Sequence, residues 1–207
     1  MNDSDLSPIS FTKEKSLWQI YVQSRKIPTS KFNLITTSIV FMAAMTSWLS
    51  DQDTAETIRS VRDMSSTCFN ASLTILGFLV AGFTIFATLT NARMFIQMGQ
   101  IRERETNSGL TYLKKSFFIL IRVFIYYLLF SVACFFILAL GGRGGFVSFI
   151  VTLSEHQENV RFAIAKMAYV FIITAQYFLL MQLKSFIFNI HHSVMSNLRW
   201  QAEGHDH

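Results

Sequence analysis

The sequence predicts an all-α, polytopic membrane protein with four transmembrane helices and both termini in the cytoplasm. Mean hydropathy is +0.37, and only 15% of residues are charged, against about 25% in an average soluble domain. Four apolar stretches lie at about 33 to 49, 68 to 90, 117 to 140 and 163 to 190, each of a length that crosses a hydrocarbon core of about 30 Å as one helix. The basic residues sort by loop. Lys13, Lys15, Arg25, Lys26 and Lys31 precede the first stretch, and Arg93, Arg102, Arg104, Lys114 and Lys115 lie between the second and third. The other two loops hold only Arg59 and Arg62, and Arg143 and Arg161, beside Asp51, Asp53, Glu56, Asp63, Glu155 and Glu158. Cytoplasmic loops carry the excess of Lys and Arg, so both termini are expected inside.

Three parts follow: a cytoplasmic N-terminal segment, 1–31; a four-helix bundle, 32–190, with a cytoplasmic hairpin, 91–116; and a cytoplasmic tail, 191–207. So little of the 207 residues lies outside the spans that no enzyme domain of ordinary size fits beside them. No apolar run precedes the first span, which is therefore expected to act as an uncleaved signal anchor. The net charge of +5 reads as orientation rather than as a nucleic-acid footprint, because it flanks spans. No direct nucleic-acid binding is expected.

In chain order, Leu17, Trp18 and Tyr21 beside Arg25 and Lys26 suit either an interfacial helix or a short helix packed on the bundle, ended by Pro28. The first span is rich in Thr36, Thr37, Ser38, Ala43, Ala44, Thr46 and Ser47, so it is expected to press closely on other helices.

The second span is the most informative. Asn70, Thr74, Gly77, Ala81, Thr84, Thr88 and Asn91 follow at alternating steps of four and three, which draws a single seam along a helix. Leu73, Leu76, Leu79, Val80, Phe83 and Phe86 occupy the other side, which predicts lipid there and protein or water along the seam. Such a seam serves packing within one chain more often than it lines a pore. The same steps continue through Phe95, Met98, Arg102 and Glu105. Phe95, Met98 and Arg102 are candidate docking residues for a cytosolic protein, since a solvated loop has little use for the two apolar ones.

The third span is crowded with aromatics and contains Arg122, about 7 to 8 Å along the axis from Phe117. Snorkelling to the headgroups is the expected use of that charge. Four glycines around Arg143 form a turn, without the Gly-Lys-Ser/Thr of a phosphate loop. The following FVSFIVTL is too short to cross. The fourth span carries Lys166, Gln176, Gln182 and Lys184, and Ala168, Ala175, Gln182 and Asn189 recur every seven residues along it.

Cys68 and Cys134 read as packing residues. His191, His192, His205 and His207 lack the Cys or acidic scaffold of a metal centre. No metal, no cofactor and no catalytic set are expected, since HExxH, GxSxG, the kinase motifs and intramembrane carboxylate pairs are all missing. Partners are membrane lipids, further copies of the chain and a cytosolic protein.

The stretch LTILGFLVAGFTIFATLT, residues 73 to 90, together with the four-span layout, resembles the small membrane components of bacterial antiphage defence cassettes. It is most similar to the membrane subunit of Kiwa systems, and next to the membrane effectors of certain retrons. The first resemblance implies an inner-membrane sensor that assembles with itself and with a soluble DNA-binding partner. The second implies an oligomeric pore-forming or membrane-disrupting effector that kills the infected cell.

The charge distribution makes orientation testable with single cysteines at Ser60, Ser108 and Ser154 in a chain lacking Cys68 and Cys134. An impermeant thiol reagent added from outside should label the cysteines at 60 and 154 and spare that at 108. The opposite pattern would invert the topology.

Overall fold

In the computed structural model, residues 15–25, 27–49, 53–89, 112–142 and 144–202 are described. They form six α-helices: α1 (Leu17–Ser24), α2 (Lys31–Met45), α3 (Thr54–Leu89), α4 (Tyr112–Leu140), α5 (Phe146–Thr152) and α6 (Gln157–Ala202). A 3-10 turn, Thr46–Leu49, extends α2. No strand occurs among the described residues.

Four segments are long and apolar enough to cross a membrane: Lys31–Leu49, Thr54–Thr84, Phe117–Leu140 and Gln157–His191. α6, at 46 residues, is about 69 Å long at 1.5 Å per residue. It must project or tilt well beyond a hydrocarbon core of about 30 Å.

The chain divides into two units, one made of 1–29, 78–125 and 182–207, the other of 30–77 and 126–181. In the first, Ile27, Leu79, Phe118, Ile119, Val123 and Phe186 are buried. The ring of Phe83 meets that of Phe117 edge-on at 5.5 Å and 76°, an arrangement that places a positive ring edge on a negative face. In the second unit, Val61, Leu76, Phe130, Cys134, Ile172 and Leu179 form the core. Phe69 lies 6.3 Å from Phe135, and Trp48 stands edge-on to Phe162 at 6.4 Å.

α2 departs from the close packing that its small and hydroxylic residues predict. Only Asn33 and Ala44 are buried on it, and 11% of its span is buried against 33% for Phe117–Leu140. Its hydroxyls are spent locally. Thr36, Thr37 and Ser38 donate to carbonyls three or four residues back, and Thr46 does the same at Ala43. A helix that satisfies its hydroxyls in this way offers a neighbour little hydrogen-bonding capacity. One side chain of α2 does reach across the unit: the buried Asn33 amide donates to the Met181 carbonyl at 2.9 Å.

The glycine turn after α4 is a backbone device. Gly144 has φ +74, a conformation that residues with a Cβ adopt at a cost. A Cβ on Gly145 would sit 2.6 Å from the Leu140 carbonyl oxygen. The short α5 that follows exposes Phe146 and Phe149 and buries Val151. In an apolar medium such exposed rings are at home.

Candidate functional site

On α3, the residues facing the chain's own interior are Val61, Ser65, Ser72, Leu76 and Leu79. At about 100° per residue, these cluster on one side of the helix. Asn70, Thr74, Gly77, Ala81 and Thr84 fall on the opposite side, and all five are exposed. These five seam residues are therefore turned to the chain's surface rather than into its described core. The division of the bulky residues also differs from expectation: Leu76 and Leu79 are core, Leu73 and Val80 face outward, and Phe83 is part-exposed with its ring against Phe117. Lipid does not cover the whole bulky side, because part of that side is what the other helices pack on.

The seam is smooth as well as outward. A Cβ added at Gly77 would meet nothing within 4 Å. The hydroxyls of Thr74 and Thr84 donate to Asn70 O and Val80 O of their own helix, each at 2.9 Å, which lays the side chains flat along it. A helix face of this kind permits close backbone approach by a second helix. α3 continues as helix through Thr88, whereas Asn91 and the docking candidates Phe95, Met98 and Arg102 lie outside the described residues, as does most of the hairpin, 91–116.

Two cations inside the spans have an arrangement that composition alone does not reveal. Arg122 does not snorkel: it is 5% exposed, and its guanidinium donates to Ile27 O at 2.8 Å and Ser24 O at 3.2 Å. Ser24 ends α1, and Ile27 follows it in the turn, its N–H also donating to Ser24 O, so the cation sits at the end of the helix that carries partial negative charge. The Ser24 hydroxyl is also turned inward, donating to Tyr21 O at 2.7 Å. The guanidinium thus fastens α1 to α4. The other face of α1 leaves Trp18 71% exposed beside Val22 and Arg25, with the Trp18 ring 5.5 Å from that of Tyr21. α1 is thus packed on one face and exposes an aromatic and basic surface on the other.

Lys166 repeats the device in the second unit. It is 1% exposed. Its ammonium donates to Ser47 O at 2.7 Å, in the turn that ends α2, and lies 5.3 Å from the centre of the Phe162 ring, within cation–π range. Asn33 was missed by the sequence reading, and Lys166 was legible only as a polar residue within an apolar stretch. Their partners were not legible, because a backbone carbonyl has no sequence signature.

Comparison with protein-family models, with curated proteins and with solved structures finds no match for this chain. What the fold defines is a four-span helical membrane protein with a small-residue face turned outward.

The clamp on α1 is testable by limited proteolysis of the solubilised protein with trypsin. Charge-assisted hydrogen bonds contribute about 1.5–3 kcal/mol, so Arg122→Met should speed cleavage after Arg25 by about tenfold or more, a factor that corresponds to 1.4 kcal/mol. Cleavage rates equal to those of the unaltered protein would show that α1 does not depend on Arg122.

Proposed function

We propose that this chain is a multi-pass subunit of the bacterial inner membrane that assembles with copies of itself through the seam on α3 and works with a cytosolic partner in antiphage defence. The observation that carries the assembly is the exposure of Asn70, Thr74, Gly77, Ala81 and Thr84 on the side of α3 opposite its core residues. In hydrocarbon no hydrophobic gain drives helices together, and small outward faces gain by van der Waals contact over a long close approach. With both termini cytoplasmic, as the basic flanks favour, the hairpin 91–116 carries Phe95, Met98 and Arg102 to a soluble protein. The defence setting, in which the chain senses infection or membrane perturbation, rests on the resemblance of residues 73 to 90.

A second reading is an oligomeric pore-forming or membrane-disrupting effector that causes abortive infection. The exposed amide of Asn70 and the exposed threonines favour it, because a ring of such groups from several copies can border water.

Gly77→Leu tests the assembly cleanly, since a side chain there meets nothing in its own chain. It should weaken self-association by about tenfold or more, equivalent to 1.4 kcal/mol, in native mass measurements from detergent or nanodiscs. Val80→Leu should not, and a monomer in every case, unaltered protein included, would refute the assembly. Expression of the chain alone separates the two functions. Unchanged membrane potential and viability, with phage protection restored by a partner and lost in Phe95→Asp/Met98→Asp, supports the partner-dependent reading. Rapid depolarisation without any partner, removed by Thr84→Leu/Thr88→Leu, establishes the effector instead.

A further inference from the structure

α1 is fastened on one side and exposed on the other. Ser16 caps it by accepting from the Gln19 N–H at 3.2 Å, and the Arg122 guanidinium holds its far end at Ser24 O and Ile27 O. Away from that clamp, Trp18, Val22 and Arg25 follow at steps of four and three, a spacing that sets them on one side of a helix. All three are exposed, and so is Lys15, just ahead of the helix. The Tyr21 ring, 5.5 Å from that of Trp18, borders the same surface.

The clamp also sets the depth of α1. Arg122 lies five residues past Phe117, where the span Phe117–Leu140 begins, so its backbone stands about 7–8 Å inside the start of that span. The end of α1 is bonded to its guanidinium and therefore lies within one arginine side chain of that level. This is the zone in which membrane-surface helices rest, about 5–10 Å into the boundary between headgroups and acyl chains. An indole joins an apolar body to one N–H and favours this boundary over either water or hydrocarbon. The charge is of one sign: residues 15 to 31 carry Lys15, Arg25, Lys26 and Lys31, with no Asp or Glu.

We infer that the exposed side of α1 binds anionic phospholipid. Trp18 and Val22 enter the boundary, while Lys15 and Arg25, at the two ends of the helix, pair with the phosphates of neighbouring lipids. A guanidinium does so through two parallel N–H bonds. Charge complementarity selects the lipid. A zwitterionic headgroup offers its own cation to its phosphate, whereas an anionic one leaves that charge for the protein. Each Lys or Arg near an anionic leaflet strengthens association by about fivefold. The inference rests on the spans and the Arg122 clamp, and not on the α3 seam or the function proposed above.

Trp18 itself reports the contact, in the full chain with Trp48→Phe and Trp200→Phe, which leave it the only indole. The chain is placed in nanodiscs of equal parts phosphatidylcholine and phosphatidylglycerol. Brominated acyl chains quench an indole that they touch, so two preparations are compared, with bromine on one lipid or on the other. Quenching should show a relative association of about fivefold or more in favour of phosphatidylglycerol. The preference should fall to parity in Lys15→Gln/Arg25→Gln and survive in Lys15→Arg/Arg25→Lys. Salt at about 1 M, where the Debye length is about 3 Å, should narrow it. Equal quenching by the two lipids with Lys15 and Arg25 in place would overturn the proposal, whatever the variants do. Absence of quenching by either lipid would put protein or water over Trp18 and overturn it as well.

Discussion

Inside an apolar medium a polar side chain must find a partner in the protein, and the acceptors most readily available are backbone carbonyls, above all those left over where helices end. Arg122, Lys166 and Asn33 obey that constraint. Arg122 reaches the end of α1, Lys166 the end of α2, and Asn33 the Met181 carbonyl of α6. In the two cationic cases the charge also meets the negative end of a helix dipole, so a residue that would be costly in hydrocarbon becomes a fastening between elements far apart in sequence. Each unit buries one of these two cations, Arg122 with α1 in one and Lys166 with the end of α2 in the other. α2 buries little of its own surface, so Lys166 and Asn33 are prominent among its contacts.

The same constraint gives α3 its two-sided character. Its inner side presents Leu76 and Leu79 to the core. Its outer side carries threonines whose hydroxyls are already bonded to their own backbone, leaving a face that is polar in composition and quiet in hydrogen bonding. A face of that kind tolerates lipid, yet its smallness gains most from a second helix. The arrangement favours the assembly proposed above without selecting the number of copies.

The four spans were legible because length and hydropathy are additive along a chain: each predicted stretch overlaps a segment long and apolar enough to cross, and the short FVSFIVTL forms only the minor helix α5. The seam was legible as a periodicity, but its direction was not. Period fixes which residues share a face, whereas the choice between the chain's own core and its surroundings depends on where other helices lie. Leu76 and Leu79 illustrate the point, being as apolar as Leu73 and Val80 but turned inward. Hydroxyl content misled for α2, since Thr36, Thr37 and Ser38 bond within their own helix. Arg122 was visible as an anomaly, and its destination was hidden because the receiving atoms belong to the backbone of a helix almost a hundred residues earlier in sequence.

The account turns on which side of α3 meets another copy. Single cysteines at Ala81 and Leu79, in a chain lacking Cys68 and Cys134, compare the two sides directly under mild oxidation in native membranes. Ala81→Cys should form a disulfide-linked dimer quickly and Leu79→Cys slowly or not at all. Dimer formation through Leu79→Cys, with Ala81→Cys remaining monomeric, would contradict the account.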